Sequence, residues 1–156
     1  MKTIFVDSSV LFSAVNSPSG GSSKLFTLKN IKLITSNVVL VESERNVRKK
    51  LHEYHLERFF MLVNKIKIIK QLPDDRLIKR AQKVIVDKDS VVLAESKKSD
   101  AHFLVTLDKK HFLTDSVAQF LKPQKALTPK MLIEMIQKIG IPGSEDIARR
   151  RKVSIV

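Results

Sequence analysis

The chain contains no cysteine and no tryptophan, and only 6% of its 156 residues are aromatic. Without cysteine it cannot form disulfides, zinc–thiolate sites or a cysteine nucleophile, which fits a reducing compartment such as the cytoplasm. Few aromatic side chains leave little material for the base-stacking platforms of many RNA-binding modules. Four histidines likewise leave little for a histidine-based site.

Long hydrophobic runs are also missing, because lysines interrupt the apolar stretches. A membrane-spanning helix needs about 20 predominantly apolar residues. The start of the chain resembles a signal peptide only superficially, since Asp7 falls inside its apolar region. We therefore expect a soluble, cytoplasmic protein that makes no contact with membranes. A hydrophobic content of 43% is enough for the core of one domain.

Basic residues strongly outnumber acidic ones. Lysine and arginine total 29 against 16 aspartates and glutamates, so the formal net charge is +13. Such an excess attracts polyanions at long range, and nucleic acid is the expected partner. The alternative is a lysine-rich, solvated surface that has no polyanion partner.

Short β-branched runs alternate with stretches of helical periodicity along the chain. The pattern predicts strands at Thr3–Val6, Lys32–Thr35, Lys65–Ile69, Phe103–Thr106 and Lys125–Leu127. It predicts helices at Ser9–Val15, Gly21–Leu28, Val38–His52, Leu56–Lys65, Asp75–Ile85, Ser90–Lys98 and Pro129–Ile139. This alternation predicts an α/β fold with three layers, α/β/α, around a central, mainly parallel sheet of about five strands. We expect one domain over residues 1–139 and a basic C-terminal extension over residues 140–156.

Four carboxylates lie at the ends of apolar runs. Asp7 follows TIFV, Glu42 follows VVLV, Asp89 comes shortly before VVLA, and Asp108 follows FLVTL. A carboxylate beside a buried strand loses hydration energy unless a partner neutralises it, and one divalent cation can neutralise several carboxylates. Because ligands bind outside the carboxyl ends of strands in open α/β sheets, the pattern predicts a metal site there. Asp7 could alternatively be a helix cap, and Asp108 a turn residue.

Two of these four acids have close competitors in the sequence. Glu44 shares a basic helix with Glu42, and an acid there is ordinarily a solvated ion-pair partner. Asp87 competes with Asp89, because either can cap the helix that follows.

The histidines form no recognisable catalytic arrangement. The segment HEYH at positions 52–55 is one residue short of the zinc-binding pattern H-E-x-x-H. His102 and His111 flank the strand that ends near Thr106, and we expect both to have surface or packing roles.

Four segments of the chain match a known family in their order and spacing. They are FVDSSVL, TSNVVLVESERNV, DKDSVVLAESKKSDAHFLVTLDKKHF and LTPKMLIEMI. Together they resemble the PIN-domain ribonucleases over residues 1–138. Within that family the chain is similar to the toxin components of toxin–antitoxin pairs, relatives of the VapC-like toxins. The resemblance implies a PIN-like fold.

The resemblance also implies roles for individual residues. Four acids would hold Mg²⁺ or Mn²⁺ and form the catalytic site: Asp7, Glu42, Asp89 and Asp108. Thr106 matches the threonine of the family's T-x-D segment, and Ser9 stands where the first motif usually has asparagine. The implied activity is hydrolysis of RNA phosphodiester bonds, with the ions activating the attacking water. A non-catalytic RNA-binding module with the same fold is the alternative.

Basic residues beside the predicted site would position phosphates without reading bases. They are Arg45, Arg48, Lys49, Lys109 and Lys110. The resemblance further implies RNA as substrate, a small antitoxin protein as partner, and association into a homodimer.

Overall fold

The computed structural model describes residues 1–139, so the extension predicted at residues 140–156 lies outside the described residues. The strands are β1 (Lys2–Val6), β2 (Ile31–Thr35), β3 (Lys67–Ile68), β4 (Phe103–Val105) and β5 (Lys125–Leu127). The helices are α1 (Ser8–Asn16), α2 (Gly21–Leu25), α3 (Asn37–Lys50), α4 (His55–Val63), α5 (Asp75–Gln82), α6 (Asp87–Lys98), α7 (Lys109–Phe112), α8 (Asp115–Leu121) and α9 (Pro129–Ile139).

The strands form one sheet in the order β3-β2-β1-β4-β5, and each pairing within the described residues is parallel. The chain builds the sheet outward from β1 through β2 to β3, then returns to the other side of β1 with β4 and β5. The carboxyl ends of β1 and β4 therefore meet where the strand order reverses. Val6 lies opposite Val105 in this register, and the backbone N–H of Asp7 donates to Val105 O at 3.0 Å.

Two hydrophobic clusters lie on opposite faces of the sheet. In β1, Ile4 and Val6 belong to one cluster and Phe5 to the other. The first cluster includes side chains of α1, α2, α4 and α9, and the second includes side chains of α5, α6 and α8. These contacts confirm the predicted α/β/α layers around a parallel sheet.

The predicted strands and all of the predicted helices are confirmed, with their ends shifted by about three residues at most. Two short helices, α7 and α8, were not predicted, although Thr114 caps α8 by accepting from Val117 N at 3.2 Å. The expectation that Asp87 or Asp89 caps α6 is wrong. The helix begins at Asp87 after Val86, so both acids lie in its first turn, where the helix N-terminus favours negative charge.

Two further helices begin at side-chain caps. Ser36 caps α3 by accepting from Val39 N at 3.2 Å, and Thr128 caps α9 directly before Pro129 by accepting from Met131 N at 3.1 Å. Within residues 1–139, none of the helices combines the length and apolar character needed to cross a membrane.

Candidate metal centre

Asp7 follows β1 directly, and its side chain is only 6% exposed. Its Oδ1 accepts from Ser8 N at 2.8 Å, which makes it the N-cap of α1. Its Oδ2 accepts from Thr106 Oγ1 at 2.7 Å and from Ser9 Oγ at 3.0 Å. A carboxylate oxygen has two lone pairs. Oδ2 is therefore fully used, whereas Oδ1 keeps one lone pair for another ligand.

The hydroxyls of Ser9 and Thr106 connect Asp7 to the turn that follows β4. Thr106 Oγ1 accepts from Asp108 N at 3.1 Å, and Ser9 Oγ accepts from Leu107 N at 3.0 Å. Each hydroxyl gives its single hydrogen to Asp7 and receives a backbone hydrogen from the turn. These bonds hold the first acid and the turn carrying Asp108 in one fixed arrangement.

Asp108 is the N-cap of α7 and binds the third residue after it. Its Oδ1 accepts from His111 N at 3.2 Å, and its Oδ2 lies 2.8 Å from Nδ1 of the His111 ring. Burial acts to raise the pKa of Asp108, but the hydrogen bonds and charge of His111 outweigh it, and Lys88 adds to their effect. The pKa therefore lies below its ordinary value of 3.8, which keeps the carboxylate charged.

Asp89 lies in the first turn of α6 and faces the same place. Its Oδ2 is buried without a hydrogen-bond partner among the described residues, and it lies 3.9 Å from His111 Nδ1. Burial raises the pKa of Asp89, and the charges of Asp108 and Asp7 raise it further, although Lys88 and His111 oppose this. An unpartnered buried carboxylate oxygen is costly, so this position favours a cation.

The pKa of Asp7 is subject to opposing effects as well. Burial raises its pKa, the three hydrogen bonds lower it, and the charge of Asp108 raises it again. Asp7, Asp89 and Asp108 thus lie within one another's field. Ligand atoms of Asp89, Asp108 and His111 lie within 4.8 Å of one another, a spacing that one ion can span. The donor set of carboxylate oxygens and an imidazole nitrogen fits a divalent cation.

Glu42 does not join this group. It is exposed on α3, and the cluster of close ligand atoms within residues 1–139 does not include it. Its competitor Glu44 pairs with Arg48 at 3.6 Å, which is the ordinary role of an acid on a basic helix. The structure thus brings three of the four predicted acids together, and a metal-binding role for Glu42 stays a prediction.

The basic residues predicted to bind RNA are all exposed: Arg45, Arg48, Lys49, Lys109 and Lys110. Three of them lie on α3, and Lys109 and Lys110 form the start of α7, next to Asp108. Exposure leaves them accessible to a polyanion, and their role in binding stays a prediction.

Two notable residues were not anticipated from the sequence, one beside the site and one in the core. His111 was expected to have a surface or packing role, yet it contacts Asp108 and faces Asp89. The available signal was its position three residues after Asp108, where an N-cap aspartate meets the helix it starts. Glu95 is the second, because it is a carboxylate inside a helix segment buried on every side.

Glu95 is only 1% exposed. Neither of its carboxylate oxygens meets the geometry of a hydrogen bond among the described residues, although the Ser36 hydroxyl lies close enough to favour the charged form. Burial raises the pKa of Glu95 above 4.5, and Ser36 offsets only part of that effect. Residues Val92 to Ser96 are all buried, so Glu95 has no path to solvent along its own helix.

The sequence profile of the PIN domain matches residues 4–115, a segment that contains all four predicted acids and His111. A search of curated proteins finds no significant match. Similar solved structures include VapBC2 from Rickettsia felis bound to a DNA fragment of its promoter, with 16% identity, a TM-score of 0.60, and coverage of 81% of this chain and 98% of that chain.

Two further structures resemble the chain with comparable sequence identity and TM-score. VapBC-1 from nontypeable Haemophilus influenzae has 13% identity and a TM-score of 0.56, covering 82% of this chain and 98% of that chain. VapC20 from Mycobacterium tuberculosis, a sarcin–ricin loop cleaving toxin, has 19% identity and a TM-score of 0.52, covering 69% of this chain and 91% of that chain. At these identities the likeness concerns the fold.

Proposed function

Because the chain belongs to the PIN domain family, we propose that it is a metal-dependent endoribonuclease that hydrolyses RNA phosphodiester bonds. One observation carries the proposal. Asp7, Asp89 and Asp108 come from three separate places in the chain and converge at the switch point of the sheet, with Asp89 Oδ2 buried and unpartnered. Converging, mutually repelling acids favour a divalent cation over an empty pocket.

The ion, Mg²⁺ or Mn²⁺, would be held by Asp89, Asp108 and the free lone pair of Asp7 Oδ1. When bound, it would supply a lowered pKa for an attacking water and positive charge beside the leaving oxygen. Glu42 is the candidate fourth acid, since α3 begins directly after β2 at the same end of the sheet.

Side chains of the chain itself hold the acids of the site in position. Ser9 and Thr106 fix the direction of Asp7, and Thr106 also holds the backbone N–H of Asp108. Sites built this way on strand ends and helix starts keep their geometry before a ligand arrives. Lys109 and Lys110 are exposed beside Asp108, where they would attract the phosphates of RNA without distinguishing bases.

We further propose that the chain acts in the cytoplasm as the toxin of a toxin–antitoxin pair, with a small antitoxin as partner. Its likeness in fold to VapC20, a sarcin–ricin loop cleaving toxin, supports this. Exposed apolar side chains offer contact area for an antitoxin or for a second copy in a homodimer: Val38 and Val41 on α3, and Phe60 and Met61 on α4.

The testing experiment is cleavage of an end-labelled, mixed-sequence RNA pool by the full chain. Reactions contain Mg²⁺, Mn²⁺ or EDTA, and they compare wild type with Asp7→Asn and Asp115→Asn. Asp115 is an exposed acid in the first turn of α8, so its variant controls for loss of one negative charge. We expect cleavage by wild type and Asp115→Asn with metal, and none by Asp7→Asn or in EDTA.

Other outcomes would contradict the proposal in different ways. Cleavage that persists in Asp7→Asn would indicate a contaminating nuclease or a different site. RNA binding by wild type without any cleavage would indicate a non-catalytic RNA-binding module instead.

A further inference from the structure

The His111 ring lies between two carboxylates of the candidate metal centre. Its Nδ1 is 2.8 Å from Asp108 Oδ2 and 3.9 Å from Asp89 Oδ2. The shorter distance is a hydrogen bond, whereas 3.9 Å is too long for one. The ring therefore makes a bond with one acid and also faces the unpartnered oxygen of the other.

This arrangement has a specific chemical consequence. Mg²⁺ takes oxygen ligands almost exclusively, whereas divalent first-row transition ions also accept an imidazole nitrogen. We propose that His111 is itself a metal ligand, which makes the centre a mixed nitrogen–oxygen site that binds a divalent first-row transition ion in preference to Mg²⁺. This inference rests on the proposed metal-dependent function and adds to it the class of ion.

A purely positioning role for His111 would need only the bond to Asp108. That role explains the 2.8 Å contact, but it does not explain why the ring also faces Asp89 Oδ2, which is buried and lacks a partner. With its hydrogen on Nε2, the ring would offer the Nδ1 lone pair to an ion, which would replace the hydrogen bond to Asp108 and also satisfy Asp89 Oδ2. Ligand atoms of Asp89, Asp108 and His111 lie within 4.8 Å of one another, so one ion can reach all three. The half-buried position of the three residues leaves an ion a route to enter.

The variant His111→Asn separates the two roles. The asparagine amide can keep a donor near the place of Nδ1, so the bond to Asp108 can survive, but it offers no imidazole nitrogen. His52→Asn is the matched control, because His52 is exposed and lies outside the centre. All variants are tested as the full chain.

Binding is measured with Mn²⁺ as the probe, by the loss of the free-ion signal in electron paramagnetic resonance and by competition with Mg²⁺. Pulsed measurements on bound Mn²⁺ then detect a directly coordinated ¹⁴N nucleus. For wild type and His52→Asn we expect ¹⁴N coupling and Mn²⁺ binding at least about tenfold tighter than Mg²⁺. For His111→Asn we expect no ¹⁴N coupling and an affinity for Mn²⁺ that is at least about tenfold weaker than that of wild type. The affinity for Mg²⁺ should stay nearly unchanged.

The inference and the proposed function fail differently. Mn²⁺ that binds wild type without ¹⁴N coupling, together with RNA cleavage lost in Asp7→Asn, would overturn the role of His111 and leave the nuclease intact. Coupling that persists in His111→Asn would also overturn it. Wild type that binds neither ion and cleaves no RNA would overturn both.

Discussion

The unfolding free energy of Glu95→Gln, measured relative to wild type, should rise with pH between 4.5 and the raised pKa of Glu95. Glu95 is fully buried on α6, and neither carboxylate oxygen meets hydrogen-bond geometry within the described residues. Burial raises its pKa above 4.5, with partial opposition from Ser36, so the folded chain holds a proton that the unfolded chain releases near 4.5.

Proton linkage gives the direction and magnitude of this change in unfolding free energy. Below pH 4.5 both states carry the proton, so the contribution of Glu95 to the unfolding free energy does not depend on pH. Between pH 4.5 and the raised pKa of the folded state, only the unfolded chain is deprotonated. Wild type then loses about 1.4 kcal/mol of unfolding free energy per pH unit from this one group. Glu95→Gln lacks this loss, because an amide does not titrate.

The assay is urea unfolding followed by circular dichroism at intervals from pH 4 to pH 8. Glutamine adds a buried N–H₂ group, which can shift stability by an amount that is constant with pH, so only the slope of the difference is diagnostic. Glu57→Gln, at an exposed acid on α4, controls for removing one negative charge from a basic chain. A stability difference between Glu95→Gln and wild type that stays flat from pH 4 to pH 8 would refute the reasoning.

Three further perturbations probe the site and its support. Thr106→Val keeps the side-chain shape but removes a donor from the buried Asp7. Urea unfolding at pH 7 should therefore show a loss of about 1–3 kcal/mol, and the RNA assay should show weaker cleavage. A variant that equals wild type in both measurements would contradict this role of Thr106. Asp89→Asn removes one of the mutually repelling negative charges, so the melting temperature in EDTA should rise. The additional rise on adding Mn²⁺ should become smaller, because the ion loses a ligand. Scanning fluorimetry measures both changes, and an unchanged response to Mn²⁺ would count against the metal centre. Arg58→Met keeps the aliphatic stem but loses two bonds, from Nε to Ala14 O at 3.0 Å and from Nη2 to Ser23 Oγ at 3.1 Å. Urea unfolding should therefore show a loss of about 1–3 kcal/mol, and an unchanged midpoint would mean that these bonds contribute nothing.

The sequence was sufficient for the architecture and for the acids that follow strands. Apolar runs such as TIFV and FLVT are buried on both faces of the sheet, so their length and composition reflect their environment directly. An acid that directly follows such a strand must lie at the carboxyl edge of the sheet. Asp7 and Asp108 lie there for that reason.

Acids on helices were harder to place, because a helix presents side chains in every direction. Asp89 faces the centre, whereas Glu42 is exposed on α3 and is not among the close ligand atoms, and spacing alone could not separate these outcomes. Glu95 was missed because its burial depends on how α6 packs against α5 and the sheet. His111 was missed because its contact with Asp89 joins two segments far apart in sequence.

The three converging acids differ in how firmly the chain holds them. Asp7 accepts three hydrogen bonds, and Asp108 is fixed by the ring and backbone of His111. Asp89 Oδ2 accepts none within the described residues, and Asp89 is stabilised instead by the charge of Lys88 and by its place in the first turn of α6. A cation would therefore find two ligands already oriented and would itself orient the third. Metal binding should thus act mainly on Asp89 and the start of α6, because that is where the chain leaves a ligand unsatisfied.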